Sequence, residues 1–118
     1  RPRISAVYHN RLRRGMRLEA DPTVQYARGE HTSRLLYADI DAVADHPYNT
    51  YRRAGLPPGP IASPSAGAIR AALYPEAVDY LFFVARPDGR HVFTRTLAEH
   101  NAAKREVRRA LDARNTRE

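Results

Sequence analysis

Residues 46–64, HPYNTYRRAGLPPGPIASP, place five prolines and two glycines in nineteen positions, and no other stretch narrows the possible folds as far. Each proline fixes φ at about −65° and removes a backbone donor, so the stretch can neither propagate a helix nor join the middle of a β-ladder. Gly55 and Gly59 accept backbone angles that other residues resist. The segment is therefore expected to be a rigid, irregular loop, with regular elements on either side of it.

Upstream, Ile4, Val7, Tyr8 and Leu12 follow helical spacing, arginines fill the polar side, and Gly15 is placed to stop the helix. The chain begins almost at this helix, which raises the expectation that the natural polypeptide continues upstream. Asp21-Pro22 reads as an N-cap followed by proline in the first turn of a short helix over Val24 to Arg28, closed by Gly29. Residues 30–45 are mixed, with Leu35-Leu36-Tyr37 a short strand or a turn of helix. Downstream of the loop, Ser63-Pro64 is expected to open a helix that ends near Tyr74-Pro75. DYLFFVA, residues 79–85, is the strongest strand signal, Pro87-Asp88-Gly89 a turn, and His91 to Thr94 the returning strand. A last helix is expected from about Thr96 to Arg114, with Leu97, Val107, Ala110 and Leu111 on one side. The fold expected is α+β: a small antiparallel hairpin sheet packed by three helices, the first, middle and last, with the long proline-rich loop over one edge.

A chain of 118 residues with 42% hydrophobic and 28% charged residues can bury one core and is too apolar for a disordered tail. Twenty Lys+Arg against thirteen Asp+Glu leave +7, which suits polyanions in general: nucleic acid, anionic lipid heads or an acidic polysaccharide. Nineteen of the twenty cations are arginine, so a biased genome composition accounts for the excess equally well. With no cysteine there is neither a disulfide nor a thiolate metal site. No apolar run approaches the roughly 18 residues of a membrane span, and Arg-Pro-Arg-Ile is not a secretory leader.

Searches for catalytic motifs mostly fail. GxGxxG, Walker, HExxH and GxSxG patterns are absent, and His9, His31, His46, His91 and His100 never take paired metal-ligand spacing, so they read as surface or capping residues. The carboxylate pairs Glu19/Asp21 and Asp39/Asp41 could divide acid and base roles, although loop solvation and the capping of Asp21 explain them more simply. Tyr48, Asn49, Thr50 and Tyr51 combine aromatic faces with amide and hydroxyl groups, the mixture that holds a sugar ring. The same residues also suit packing tyrosines and an asparagine-anchored turn.

NRLRRGMRL, DPTVQY, YNTY leading into GLPPGPIASP, YLFFVA, and RHVF followed by HN occur in an order and spacing that resemble the endolytic murein transglycosylases, the MltG or YceG-like family. The likeness runs over nearly the whole chain. It implies that residues 1–118 are the C-terminal part of the catalytic domain of a membrane-anchored bacterial enzyme, held at the inner membrane by a segment upstream and facing the periplasm or extracytoplasmic space. Such enzymes cleave the MurNAc-β-1,4-GlcNAc bond of nascent peptidoglycan strands, leave 1,6-anhydro-MurNAc ends and so help terminate strand growth. The family's catalytic glutamate precedes the first helix, so the expectation is of a fragment, inactive alone, that supplies the substrate cleft. The resemblance places Asp21, Thr23, Gln25, Tyr26, Tyr48, Asn49, Thr50 and Tyr51 along or just behind a sugar-binding groove, with Pro57, Pro58 and Pro60 stiffening it. His91 and Asn101 are added as further substrate contacts, while Asp21, Pro58, Phe83 and Phe93 also have structural explanations. No metal and no cofactor is implied; the partners are glycan strands and cell-wall synthesis proteins, not nucleic acid. The alternatives are a non-catalytic peptidoglycan-binding module and, far behind it, nucleic-acid binding through the arginine-rich last helix.

Overall fold

The computed structural model describes residues 1–31 and 35–116, with side chains as far as residue 113. In chain order it contains α1 (Pro2–Arg13), α2 (Asp21–Arg28), α3 (Tyr37–Ala42), α4 (Ala66–Leu73), β1 (Phe82–Ala85), β2 (His91–Thr94) and α5 (Leu97–Thr116). This is the expected α+β class: among the described residues α1, α2, α4 and α5 answer to helices expected from the sequence, and α3 is added to them. The contacts divide into two compact units, one joining Arg1–Asn10 to the chain from Ala71 onward, the other Arg11–Arg70. They are called below the hairpin unit and the loop unit.

In the hairpin unit β1 and β2 are antiparallel, with Phe82 opposite Thr94, Phe83 opposite Phe93, Val84 opposite Val92 and Ala85 opposite His91. The turn is closed by Gly89 N–H on the Arg86 carbonyl (3.0 Å) and Arg86 N–H on the Arg90 carbonyl (2.7 Å), with Gly89 at φ 85°. That positive φ is why glycine follows Asp88, whose Oδ1 accepts from Arg90 N–H at 2.9 Å. Successive strand residues face opposite sides. Phe83 accordingly meets Tyr8 of α1 edge-on at 5.8 Å, and Phe82 stacks on His100 of α5 at 5.0 Å. The hairpin is thus a thin layer between two helices.

The strand expected over residues 79–85 begins only at Phe82. The reason lies about 70 residues away: the Asn10 amide, 7% exposed, donates to the carbonyls of Val78 (2.9 Å) and Tyr80 (2.8 Å), so these accept from a side chain and not from a partner strand. α5 opens with a capping box. Thr96 Oγ1 accepts from Glu99 N–H, and Glu99 Oε1 accepts from the N–H groups of Thr96 and Arg95, each at 3.1 Å.

In the loop unit, Gly15 at φ 71° ends α1 as expected. Its N–H bonds the Leu12 carbonyl and Met16 N–H bonds that of Arg11, the paired closure that a left-handed glycine permits. Gly29, at φ 75°, closes α2 through the carbonyls of Gln25 and Tyr26. The start of α2 departs from expectation: Ala20 is the N-cap, Asp21 is already helical, and no side chain caps the helix. The Asp21 carboxylate is drawn off by another partner, described below. Of Leu35-Leu36-Tyr37, expected as a short strand or a turn of helix, Tyr37 alone is helical. Tyr37 begins α3, and Asp39 Oδ2 accepts from Leu36 N–H at 2.9 Å just before it. Likewise α4 is opened by Ser65, whose Oγ accepts from Ala68 N–H at 3.1 Å, and not by Ser63-Pro64. Among the described residues no helix is long and apolar enough to cross a membrane.

Candidate functional site

Eight of the ten residues named from sequence fall in the loop unit, on α2 and on the turn over residues 46–53. That turn is wound around Asn49, which is 0% exposed. Its Nδ2 donates to the carbonyls of Ile40 (3.1 Å) and Val43 (3.0 Å) at the end of α3, and its Oδ1 accepts from Tyr51 N–H at 3.0 Å. Its own N–H reaches the His46 carbonyl, and its carbonyl accepts from Arg52 and Arg53. Every polar group of Asn49 is therefore spent inside the protein. It anchors a turn, the second of the two roles open to it from sequence.

Thr50 and Thr23 are buried as a pair. Ala20 N–H donates to Thr50 Oγ1 (2.9 Å), the two hydroxyls lie 2.8 Å apart, and Thr23 Oγ1 donates to the Ala20 carbonyl at 2.7 Å. The proton order that satisfies all of them runs from Thr50 to Thr23 to the Ala20 carbonyl and back through the Ala20 N–H. With Glu19 N–H on the Thr50 carbonyl (3.2 Å), this ring ties the start of α2 to the turn. Residue 50 thus holds the backbone N–H of Ala20 at the N-cap position, while no side chain reaches the open amides of the first turn.

Two tyrosines lie on this base. Tyr48 stacks on Tyr26 with ring centres 4.9 Å apart and planes at 28°, while His46 meets it edge-on at 5.8 Å and accepts from its N–H through Nδ1. Tyr26 remains 49% exposed and presents its ring to solvent. The proline-rich loop reaches the pair at Gly59, where an added Cβ would stand 2.8 Å from the Tyr48 hydroxyl. A side chain there would collide with the ring stack, so glycine is dictated by space and not by φ. No local sequence signal announces this contact.

Tyr51 donates its hydroxyl proton to Asp21 Oδ1. Burial, and then the hydrogen bond and charge of Asp21 and the charge of Glu19, hold the phenol well above the ordinary tyrosine range, with Arg11 opposing. Arg11, 7% exposed, donates to the carbonyls of Arg17 (3.0 Å) and Leu18 (3.4 Å) and faces Glu19 at 3.6 Å. Glu19 is the one described non-glycine residue at positive φ, 50°. Asp39 lies 3.3 Å from Arg28, and Asp41 pairs with Arg52. All four carboxylates named from sequence are thus engaged with a neighbouring cation or hydroxyl. Gln25 is half-buried on α2 beside Tyr26.

His91 and Asn101 belong to the hairpin unit. His91 opens β2, exposed, edge-on to Phe83 at 5.8 Å. Asn101 lies in the second turn of α5 and shares an open patch with Lys104, Arg105, Arg108 and Arg109. Of the other histidines, His9 Nε2 lies 2.8 Å from the Ala72 carbonyl and His100 stacks on Phe82, so both do local structural work.

Comparison with known proteins adds to this geometry. A model of the YceG-like family matches residues 1–106. A protein named endolytic murein transglycosylase from Bacillus subtilis (strain 168) is 51% identical over 104 residues, 88% of this chain and 28% of that protein. One of the same name from Streptococcus pneumoniae serotype 2 is 40% identical over 85 residues, 70% of this chain and 15% of the relative. The chain therefore spans less than a third of the length of these relatives. A crystal structure of a yceG-like protein from Listeria monocytogenes matches with a TM-score of 0.81 at 50% identity, covering 86% of this chain and 33% of that one.

Proposed function

The chain belongs to the YceG-like family, and from that premise we propose that it forms part of the glycan-binding region of a lytic transglycosylase acting on peptidoglycan. The observation that carries this reading is the 51% identity, over 88% of the chain, to a protein named endolytic murein transglycosylase. The reaction in this reading breaks the MurNAc-β-1,4-GlcNAc bond inside a nascent strand without adding water. One carboxylic acid gives its proton to the glycosidic oxygen as the bond to C1 breaks. The carboxylate so formed takes the proton of the C6 hydroxyl as that oxygen bonds to C1, leaving a 1,6-anhydro-MurNAc end and a regenerated acid. Strand growth stops at that end. On this reading the region works outside the cytoplasmic membrane, where its substrate is, in a protein anchored through another segment, beside cell-wall synthesis proteins and with no cofactor.

Tyr26 is the residue best suited to touch a sugar: its ring is half exposed, backed by Tyr48 and able to stack on the apolar C–H face of a pyranose. Gln25 offers an amide next to it, and the hydrogen-bonded pair of Asp21 and Tyr51 lies at the start of the same helix. Thr23, Asn49 and Thr50 act from behind, as positioning residues that hold the turn. His91 and Asn101 are proposed contacts from the hairpin unit. By resemblance to the family, whose catalytic glutamate precedes the first helix, the proton donor is assigned to a group outside residues 1–118; Glu19, Asp21, Asp39 and Asp41 each meet a partner inside the protein.

Uncrosslinked glycan strands mixed with the purified 118-residue chain are expected to bind and to yield no anhydro product. Anhydro ends made by the pure chain would overturn the assignment of the donor. Tyr26→Ala is expected to weaken binding by roughly tenfold, the order of one aromatic stacking contact; unchanged binding would remove Tyr26 from the groove. The same engagement of the carboxylates also suits a glycan-binding module without chemistry. Assay of the intact protein separates the two, since binding without anhydro product there supports the module.

A further inference from the structure

The last helix carries a face that the glycan reading leaves almost unused. Lys104, Arg105, Arg108 and Arg109 are all exposed and form one open patch along α5. Among the described residues the side chains of these four make no ion pair or hydrogen bond. Arg3, Arg11, Arg28, Arg52, Arg86 and Arg95, by contrast, each face a carboxylate. At about 100° per residue, Leu97, Lys104 and Leu111 recur every seven positions and so fall on one stripe, with Arg108 one turn beyond Lys104 close beside them. Leu97 is 60% exposed and Leu111 38% exposed. Asp112 is the acid on this side of the helix; Glu106 points away from the stripe. From Arg108 to Ala113 every residue is exposed.

Cations alone would suit any polyanion, and the leucines narrow the choice. Two apolar side chains on the cationic stripe, separated by about 21 Å along the axis, gain nothing from a phosphate backbone or an acidic polymer in water. At a bilayer surface they enter the boundary between headgroups and acyl chains, while Lys and Arg extend their heads to the phosphates. We propose that this face of α5 lies on an anionic lipid surface, with Lys104 and Arg108 on the headgroups and Leu97 and Leu111 inserted between them. The contact is peripheral and reversible, and is independent of the glycan reading.

The test is co-sedimentation of the 118-residue chain with vesicles of phosphatidylcholine alone and of phosphatidylcholine mixed with phosphatidylglycerol. Binding is expected only to the mixed vesicles and to fall with salt. Replacing both cations (Lys104→Gln with Arg108→Gln) is expected to weaken it about 30-fold, about fivefold for each cation. Leu97→Ser with Leu111→Ser is expected to weaken vesicle binding at least tenfold, roughly the worth of partly burying two leucines, and to leave any affinity for duplex DNA unchanged. The swap Lys104→Arg with Arg108→Lys keeps the charge and is expected to bind as the parent does, which separates loss of charge from loss of fold. Absence of binding to the mixed vesicles, equal binding to neutral ones, or a leucine pair whose loss changes nothing would overturn the proposal. Duplex DNA bound more tightly than the mixed vesicles would do so as well.

Discussion

The hairpin unit and the loop unit are closed by different chemistry. Around the hairpin the contacts are rings: Tyr8 on Phe83, Phe82 on His100, Tyr80 beside Phe93. Around the loop, besides the stack of Tyr26 on Tyr48, they are mostly buried hydrogen bonds, with Asn49, Thr50 and Thr23 all under 5% exposed, where the hairpin unit buries Asn10. Apolar contact is non-directional and degrades gradually when a side chain changes shape. A buried hydrogen bond is lost whole, and its abandoned partner adds the cost of desolvation. The loop unit should therefore be the more brittle of the two, and the more exact in the shape it holds.

The largest expected effect tests that contrast directly. Asn49→Leu keeps the branched heavy-atom skeleton, though bulkier, but strands the Ile40 and Val43 carbonyls and the Tyr51 N–H, and is expected to cost about 4 kcal/mol. Phe83→Leu, which keeps an apolar body against Tyr8, is expected to cost about 1 kcal/mol. Urea denaturation of the two variants at one pH gives both numbers. Equal losses would abolish the distinction between the units.

An intermediate effect comes from the crowding at Gly59. Gly59→Ala is expected to cost about 1.5 kcal/mol by driving a methyl into the Tyr48 hydroxyl 2.8 Å away. In a Tyr48→Phe background most of that cost should vanish, because the next nearest atom, the ring carbon that bears the hydroxyl, lies at 4.0 Å. Thermal denaturation of the four proteins closes the cycle; additive losses would mean that the glycine serves some purpose other than clearance. Gly55 offers the control, since it needs its φ of 85° and has open space around it, so Gly55→Asn should be tolerated better than Gly55→Ala.

The smallest effect is a pH dependence confined to the hairpin unit. Backbone donation from Arg95 and Thr96 holds the Glu99 carboxyl below its usual value of 4.5. A lowered folded-state pKa means that the charged form supports the fold. The contribution of the cap is present above the usual glutamate range and is lost as pH falls through the lowered value. Melting temperatures of the parent and of Glu99→Gln should differ at neutral pH and converge in acid. A gap that stays constant with pH would show that the charge of Glu99 does nothing for the helix.

Much of the fold was legible because it is written locally. The 3.6-residue spacing of Ile4, Val7, Tyr8 and Leu12 gave α1, Gly15 and Gly29 gave two helix ends, and Pro87-Asp88-Gly89 gave the hairpin. What could not be read depends on partners far along the chain. Asp21 has the right chemistry and place for an N-cap, yet Tyr51 takes its carboxylate, and Thr50, 30 residues after Ala20, holds the N–H of Ala20 instead. The early part of DYLFFVA looks like strand until Asn10 claims the carbonyls of Tyr80 and of Val78 just before it. α3 has six residues, too few to show a period. For the candidate site, composition and resemblance singled out the segment from Tyr48 to Tyr51. Neither could tell that its polar pair faces inward and its ring stack outward, because burial is a property of the assembled turn.

The bond between Tyr51 and Asp21 has a practical side for anyone labelling this protein. Reagents that nitrate or iodinate tyrosine act on the phenolate, which Tyr51 scarcely forms while burial and its carboxylate partner keep the proton in place. Tyr37 and Tyr74, at 85% and 71% exposure, should react first. A probe could then be attached at either of those rings while the proposed glycan-binding surface keeps its original chemistry.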